Sequence, residues 1–102
     1  MQEKVKEFNK NNNRTPMPIY ARLLDISSEI GELFKEYLKP TEYGSTNFEM
    51  SEDFKLEYGD VLYSLLSLAN EIEINAEECL DKVLKKYQAR INKSNSLGSE
   101  HN

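Results

Sequence analysis

The apolar residues between positions 19 and 37 constrain this chain more than any other feature. Ile19, Leu23, Ile26, Ile30, Leu33 and Tyr37 follow one another at steps of four and three. That is the period of a buried helical seam, not of a strand. A second row, Tyr20, Leu24, Phe34 and Leu38, widens the stripe. The spacing predicts a helix from Ile19 to about Lys39, stopped by Pro40. Phe54, Tyr58, Val61, Leu62, Leu65, Leu66, Leu68, Ala69 and Ile72 repeat the pattern on a broader stripe, which predicts a central helix. Ser51 has the side chain of an N-cap, and Glu52 and Asp53 follow where the helix dipole favours anions. Asn75 opens a last helix, with Glu78 as capping-box partner. Leu80, Val83, Leu84, Tyr87 and Ile91 give that helix an apolar face. Val5 and Phe8 predict a short helix over 1–10, broken by Asn11-Asn12-Asn13 and then by Thr15-Pro16-Met17-Pro18. Residues 41–50 show no period and read as a loop. No β-branched run is present, so the expected class is all-α, a four-helix-type fold.

At 102 residues the chain fits one small domain. Its expected extent is 1–91, with a disordered tail over 92–102 that includes His101. One helical core of this size leaves little surface to enclose a substrate, so completion by dimerisation is expected. The net charge of −5 argues against a nucleic-acid backbone binder, which needs a basic stripe. Cys79 is the only cysteine, which rules out an intrachain disulfide; it reads as a small semi-buried residue. The first residues are charged and carry no secretory core, and the stretch from Val61 to Ala69 is too short to span a membrane. The expected location is cytoplasmic.

Two acidic pairs point to chemistry. They are Glu29-Ile30-Gly31-Glu32 and Glu57-Tyr58-Gly59-Asp60, each acid-x-Gly-acid within a predicted helix. Residues three apart on a helix are neighbours on one face, about 5–6 Å between Cβ atoms. Acid-x-x-acid also arises from composition alone, as at Glu49/Glu52 and Glu78/Asp81. The glycine distinguishes the favoured pairs. Inside a helix it costs about 1 kcal/mol relative to Ala, so its repetition at one offset implies close approach of a neighbouring helix or a ligand. Asp25, Glu29, Glu32 and Glu36 form one acidic stripe, and Asp53, Glu57, Asp60, Ser64, Ser67 and Glu71 form a second. If the apolar seams pack, the stripes meet. Carboxylates held together repel, and a divalent cation relieves that. An all-oxygen set favours Mg²⁺, Ca²⁺ or Mn²⁺, and Mg²⁺ on a few carboxylates commonly serves substrate phosphates. Lys82, Lys85, Lys86 and Arg90 lie on the last predicted helix, either as a solvated face or as phosphate contacts. Tyr20, Tyr43, Phe48 and Tyr63 are stacking candidates that serve equally as packing. No P-loop, dinucleotide fingerprint or nucleophile elbow occurs.

The runs LDISSEIGEL (24–33) and LEYGDVL (56–62), followed by SLLSLANEIEINAEECLDKVLKKY, resemble the MazG-like nucleotide pyrophosphohydrolases of the all-α NTP pyrophosphatase superfamily. The resemblance covers roughly residues 19–91. It implies Glu29, Glu32, Glu57 and Asp60 as Mg²⁺ ligands, with Mn²⁺ a possible substitute. It implies hydrolysis of a nucleoside triphosphate between its α and β phosphates, with Glu29 or Glu32 deprotonating the water. It also implies a homodimer or homotetramer, and substrate contacts from Asn70, Lys82, Lys86 and Arg90. Two positions depart from the family pattern. Ser28 stands where many members carry Glu, and Lys86 and Tyr87 stand where Asn and Arg are common. Phosphoribosyl-ATP pyrophosphohydrolase shares the fold and metal motif and is an alternative. A non-enzymatic helical dimerisation module is another; it predicts that substituting the four acids is harmless.

Overall fold

A computed structural model describes the backbone of residues 1–100 and the side chains of residues 1–95. It contains α1 (Gln2–Asn11), α2 (Ile19–Leu38), α3 (Glu52–Glu71) and α4 (Ala76–Glu100), and no strand among the described residues. The expected caps are present. Phe54 N–H donates to Ser51 Oγ at 3.0 Å, and Glu78 N–H donates to Asn75 Oδ1 at 3.0 Å. The break after α1 uses Asn13 in the left-handed region, φ 52°. Asparagine tolerates that conformation better than most residues.

α2 and α3 pack along their length, and α1 also packs on α3. α3 is therefore the central helix, as its broad stripe predicts. The α2–α3 contact is narrower than the sequence implies. Ile26 is buried, but Ile19, Leu23, Ile30 and Phe34 of the same helix are all about half exposed. A stripe wider than one neighbour can cover leaves its outer row uncovered. α4 shares no comparable interface, and its Leu80, Leu84, Tyr87 and Ile91 are likewise half exposed. The radius of gyration, 18.5 Å, reflects this; a compact chain of this length has about 13 Å.

Three expectations change. α4 continues past Ile91 to Glu100, through the start of the expected tail. Residues 92–97 hold no proline or glycine, and extending an existing helix costs far less than starting one. The end of the expected tail, His101 included, lies outside the described residues. Cys79, in the first turn of α4, is exposed rather than semi-buried. Around Gly31 and Gly59 an added Cβ would meet nothing within 4 Å, so among the described residues no other helix approaches either glycine closely.

Candidate active site

The α2–α3 packing brings the two acidic stripes together. Carboxylate oxygens of Glu29, Glu57 and Asp60 lie within 4.8 Å of one another. Partial burial against the facing helix pushes the Glu29 carboxyl up from its ordinary value, and the charges of Asp60, Asp25 and Glu32 add to this. Glu57 is pushed up in the same way, by burial first and then by Asp60, Glu29, Glu32 and Glu36. Charge is thus gathered here against its own repulsion. The donor set is all oxygen, which suits a hard divalent cation. Glu32 is outside the converging trio; its carboxylate accepts from Lys35 Nζ at 3.3 Å on the exposed side of α2.

One turn before Glu29 the stripe changes character. Arg22, within the seam, is buried. Its Nε and Nη2 donate to the two carboxylate oxygens of Glu71 at 2.9 Å each, and Nη1 donates to Asp25 Oδ2 at 2.9 Å. Ser64 Oγ donates to the same Asp25 oxygen at 2.7 Å. Met17 N–H donates to Glu71 Oε2 at 3.0 Å and so ties the 12–18 linker to the end of α3. The Arg22 guanidinium holds the Glu71 carboxyl below its ordinary value, although burial opposes this. Sequence reasoning placed Asp25, Ser64 and Glu71 on the acidic stripes and passed over Arg22. The available signal was an arginine at the head of the acidic stripe, three residues before Asp25 and beside the apolar seam; a buried guanidinium needs carboxylates.

A cleft of about 800 Å³ runs from the acid cluster between α1 with its linker and the α2–α3 pair. Glu29 and Asp60 line one end, and Tyr63, Ser67 and Asn70 line its α3 wall. That volume lies within the usual range for small-molecule sites, roughly 300–1,000 Å³. Asn70 Nδ2 donates to the Gln2 carbonyl at 3.2 Å, so it also fixes α1. Lys82, Lys86 and Arg90 are exposed on α4 and do not line the cleft. Of the aromatic candidates, Tyr63 is at the cleft; Tyr20 and Tyr43 are exposed; Phe48 packs on Tyr37 and Phe54.

A family model described as the MazG nucleotide pyrophosphohydrolase domain matches residues 18–94. The chain is 38% identical over 79 residues to YpjD of Bacillus subtilis (strain 168), an uncharacterized protein, over 74% of this chain and 67% of that one. The crystal structure of YPJD from Bacillus subtilis, provisionally termed a pyrophosphatase, has a TM-score of 0.72 to this fold. It shares 29% identity and covers 87% of this chain and 90% of its own. The family model spans most of the chain and the solved relative shares its helical fold, and the chain belongs to the MazG nucleotide pyrophosphohydrolase family.

Proposed function

We propose that this nucleotide pyrophosphohydrolase is Mg²⁺-dependent and acts on nucleoside triphosphates, giving the monophosphate and pyrophosphate. The observation that carries this is the convergence of Glu29, Glu57 and Asp60 at the end of a cleft of nucleotide size. These three carboxylates would hold the ion, and Mn²⁺ fits the same donors. When bound, the ion supplies charge neutralisation for the phosphates and an activated water. The remaining work falls to the chain. Glu32 lies one turn along from Glu29 and outside the trio, and we assign it to receive the proton of the attacking water. The water oxygen bonds to phosphorus as the bond bridging the α and β phosphates breaks, and pyrophosphate leaves. Arg22 pairs with both Asp25 and Glu71, which reduces the repulsion that these two further carboxylates would exert on the substrate.

Self-association is part of the same proposal. α2 and α4 each carry a row of large apolar side chains about half exposed, and extended exposed apolar surface commonly marks an interface. A dimer or tetramer would cover them.

A product assay tests the reaction. The protein is incubated with Mg²⁺ and a panel of NTPs, dNTPs and phosphoribosyl-ATP, and nucleotides and pyrophosphate are quantified. We expect monophosphate and pyrophosphate from at least one triphosphate, and neither from Asp60→Asn. Turnover of phosphoribosyl-ATP alone would replace the proposed substrate. No turnover and no Mg²⁺ binding by calorimetry would leave the helical interaction module.

A further inference from the structure

The matched domain begins at residue 18, yet the residues before it form one whole wall of the cleft. That wall carries Lys6, Lys10 and Arg14, and none of the three has a carboxylate partner among the described residues. Lys6 and Lys10 are four apart on α1 and so share a face. The left-handed Asn13 turns the chain back, with Arg14 N–H donating to the Asn9 carbonyl at 2.9 Å. Arg14 is thereby returned to the end of the same helix.

The wall is fixed at three places. The Gln2 side chain donates to the Ile74 carbonyl at 2.7 Å and accepts from Ala76 N–H at 2.8 Å. Asn9 Nδ2 donates to Ser67 Oγ at 3.3 Å, and Tyr63 O–H donates to Asn9 Oδ1. Met17 N–H reaches Glu71 as described. α1 is therefore a docked element, and its cations are presented from a set position.

Across the cleft, Arg22 pairs with both Asp25 and Glu71 and offsets one of their two charges. The charges with no ion-pair partner among the described residues are the Glu29/Asp60 end on one side and Lys6, Lys10 and Arg14 on the other. A ligand that suits both must chelate a divalent cation and carry further negative charge along its length. Polyphosphate has that chemistry. We propose that Lys6, Lys10 and Arg14 form the phosphate-holding wall of the site and grip the part of the triphosphate that leaves as pyrophosphate. This rests on the pyrophosphohydrolase reading and transfers the phosphate contacts from α4 to α1.

The test uses inorganic tripolyphosphate with Mg²⁺, which carries no base or sugar. Its binding is measured by calorimetry for the full-length wild type, for Lys6→Gln/Lys10→Gln/Arg14→Gln and for Lys82→Gln/Lys86→Gln/Arg90→Gln. Three solvent-exposed charge contacts predict a loss of roughly tenfold or more in the α1 variant. Its affinity should also fall less steeply with added salt than that of the wild type. Far-UV circular dichroism and the affinity for Mg²⁺ alone should match the wild type. Wild-type tripolyphosphate affinity in the α1 variant overturns the proposal, as does a loss confined to the α4 variant or no binding by the wild type. Loss of tripolyphosphate binding in the α1 variant, beside a wild type that hydrolyses no nucleotide, would retain the phosphate wall and remove the reaction.

Discussion

Replacing Arg22 with Leu tests the ion-pair network that closes one side of the cleft. The wild-type guanidinium makes three charge-assisted hydrogen bonds of 2.9 Å, two of them a bidentate pair with Glu71. The side chains of Arg22 and Glu71 are 8% and 10% exposed, so neither charge relaxes easily into water. Stripping one partner from such a pair costs about 3–5 kcal/mol. The cleft admits some water, which favours the low end, about 3 kcal/mol. At roughly 4–8 °C per kcal/mol, the melting temperature should fall by about 12–24 °C. Glu71→Gln keeps hydrogen-bonding atoms but loses the charge, and should cost about 1–2 kcal/mol at pH 7. The pH dependence has a definite sign. Arg22 favours ionised Glu71 in the folded state, so this stabilisation is complete above the ordinary carboxyl value of 4.5 and fades as pH falls through the lower folded value. The gap between wild type and Glu71→Gln should close in acid. Arg22→Leu/Glu71→Leu removes both charges and should be more stable than Arg22→Leu alone. The assay is urea unfolding followed by far-UV circular dichroism, at one protomer concentration because assembly contributes to stability. A cost below about 0.5 kcal/mol for Arg22→Leu, the size of an ordinary surface change, would refute the reasoning. So would a double variant as unstable as the sum of its parts.

Neutralising Asp60 or Glu29 (Asp60→Asn, Glu29→Gln) should cost about 100-fold or more in kcat/KM. In metal-free buffer either change should raise the melting temperature, because it removes repulsion inside the cluster. Glu32→Gln should lower kcat while leaving Mg²⁺ affinity, read by calorimetry, close to that of the wild type. Leu84→Glu with Ile91→Glu puts charge on the exposed face of α4, and sedimentation should show a smaller species than the wild type. Gly31→Ala and Gly59→Ala should each stabilise the fold by about 1 kcal/mol in urea unfolding, since both are helical and face open space.

The fold was legible because helical period is a local property. Ile26, Leu66 and Ala69 fall on the predicted stripes and form the buried apolar core. Ser51 and Asn75 are caps because a short polar side chain before an apolar-periodic run reaches the free N–H groups. What a stripe meets is not local. Ile30 and Ile26 belong to one seam by spacing, yet Ile26 is buried and Ile30 is half exposed. Only the position of α3 decides between them, and that depends on long-range packing. The end of α4 was missed for a related reason. Polar composition after Asn92 says that few contacts form there, but a helix already started needs few contacts to continue.

The candidate site shows the same division more sharply. Glu29, Glu57 and Asp60 were legible because two helical stripes whose seams pack must align their acidic edges. The glycine criterion that singled out these pairs rests on a close approach that the described residues do not show. No neighbour comes within 4 Å of a Cβ built at Gly31 or Gly59. The acids converge through the seam, and the glycines are exposed on α2 and α3. Cation placement was the harder problem. Lys82, Lys86 and Arg90 stand out as a run on one predicted helix, whereas Lys6, Lys10 and Arg14 are dispersed over a short predicted helix and the break that follows it. A run of charge is visible in sequence whether or not it faces anything. A charged wall exists only when a turn such as that at Asn13 and anchors such as Gln2 and Asn9 hold dispersed residues against one cleft. In this chain the acids that converge follow helical period and can be read, while the cations proposed to face them depend on how a short helix docks.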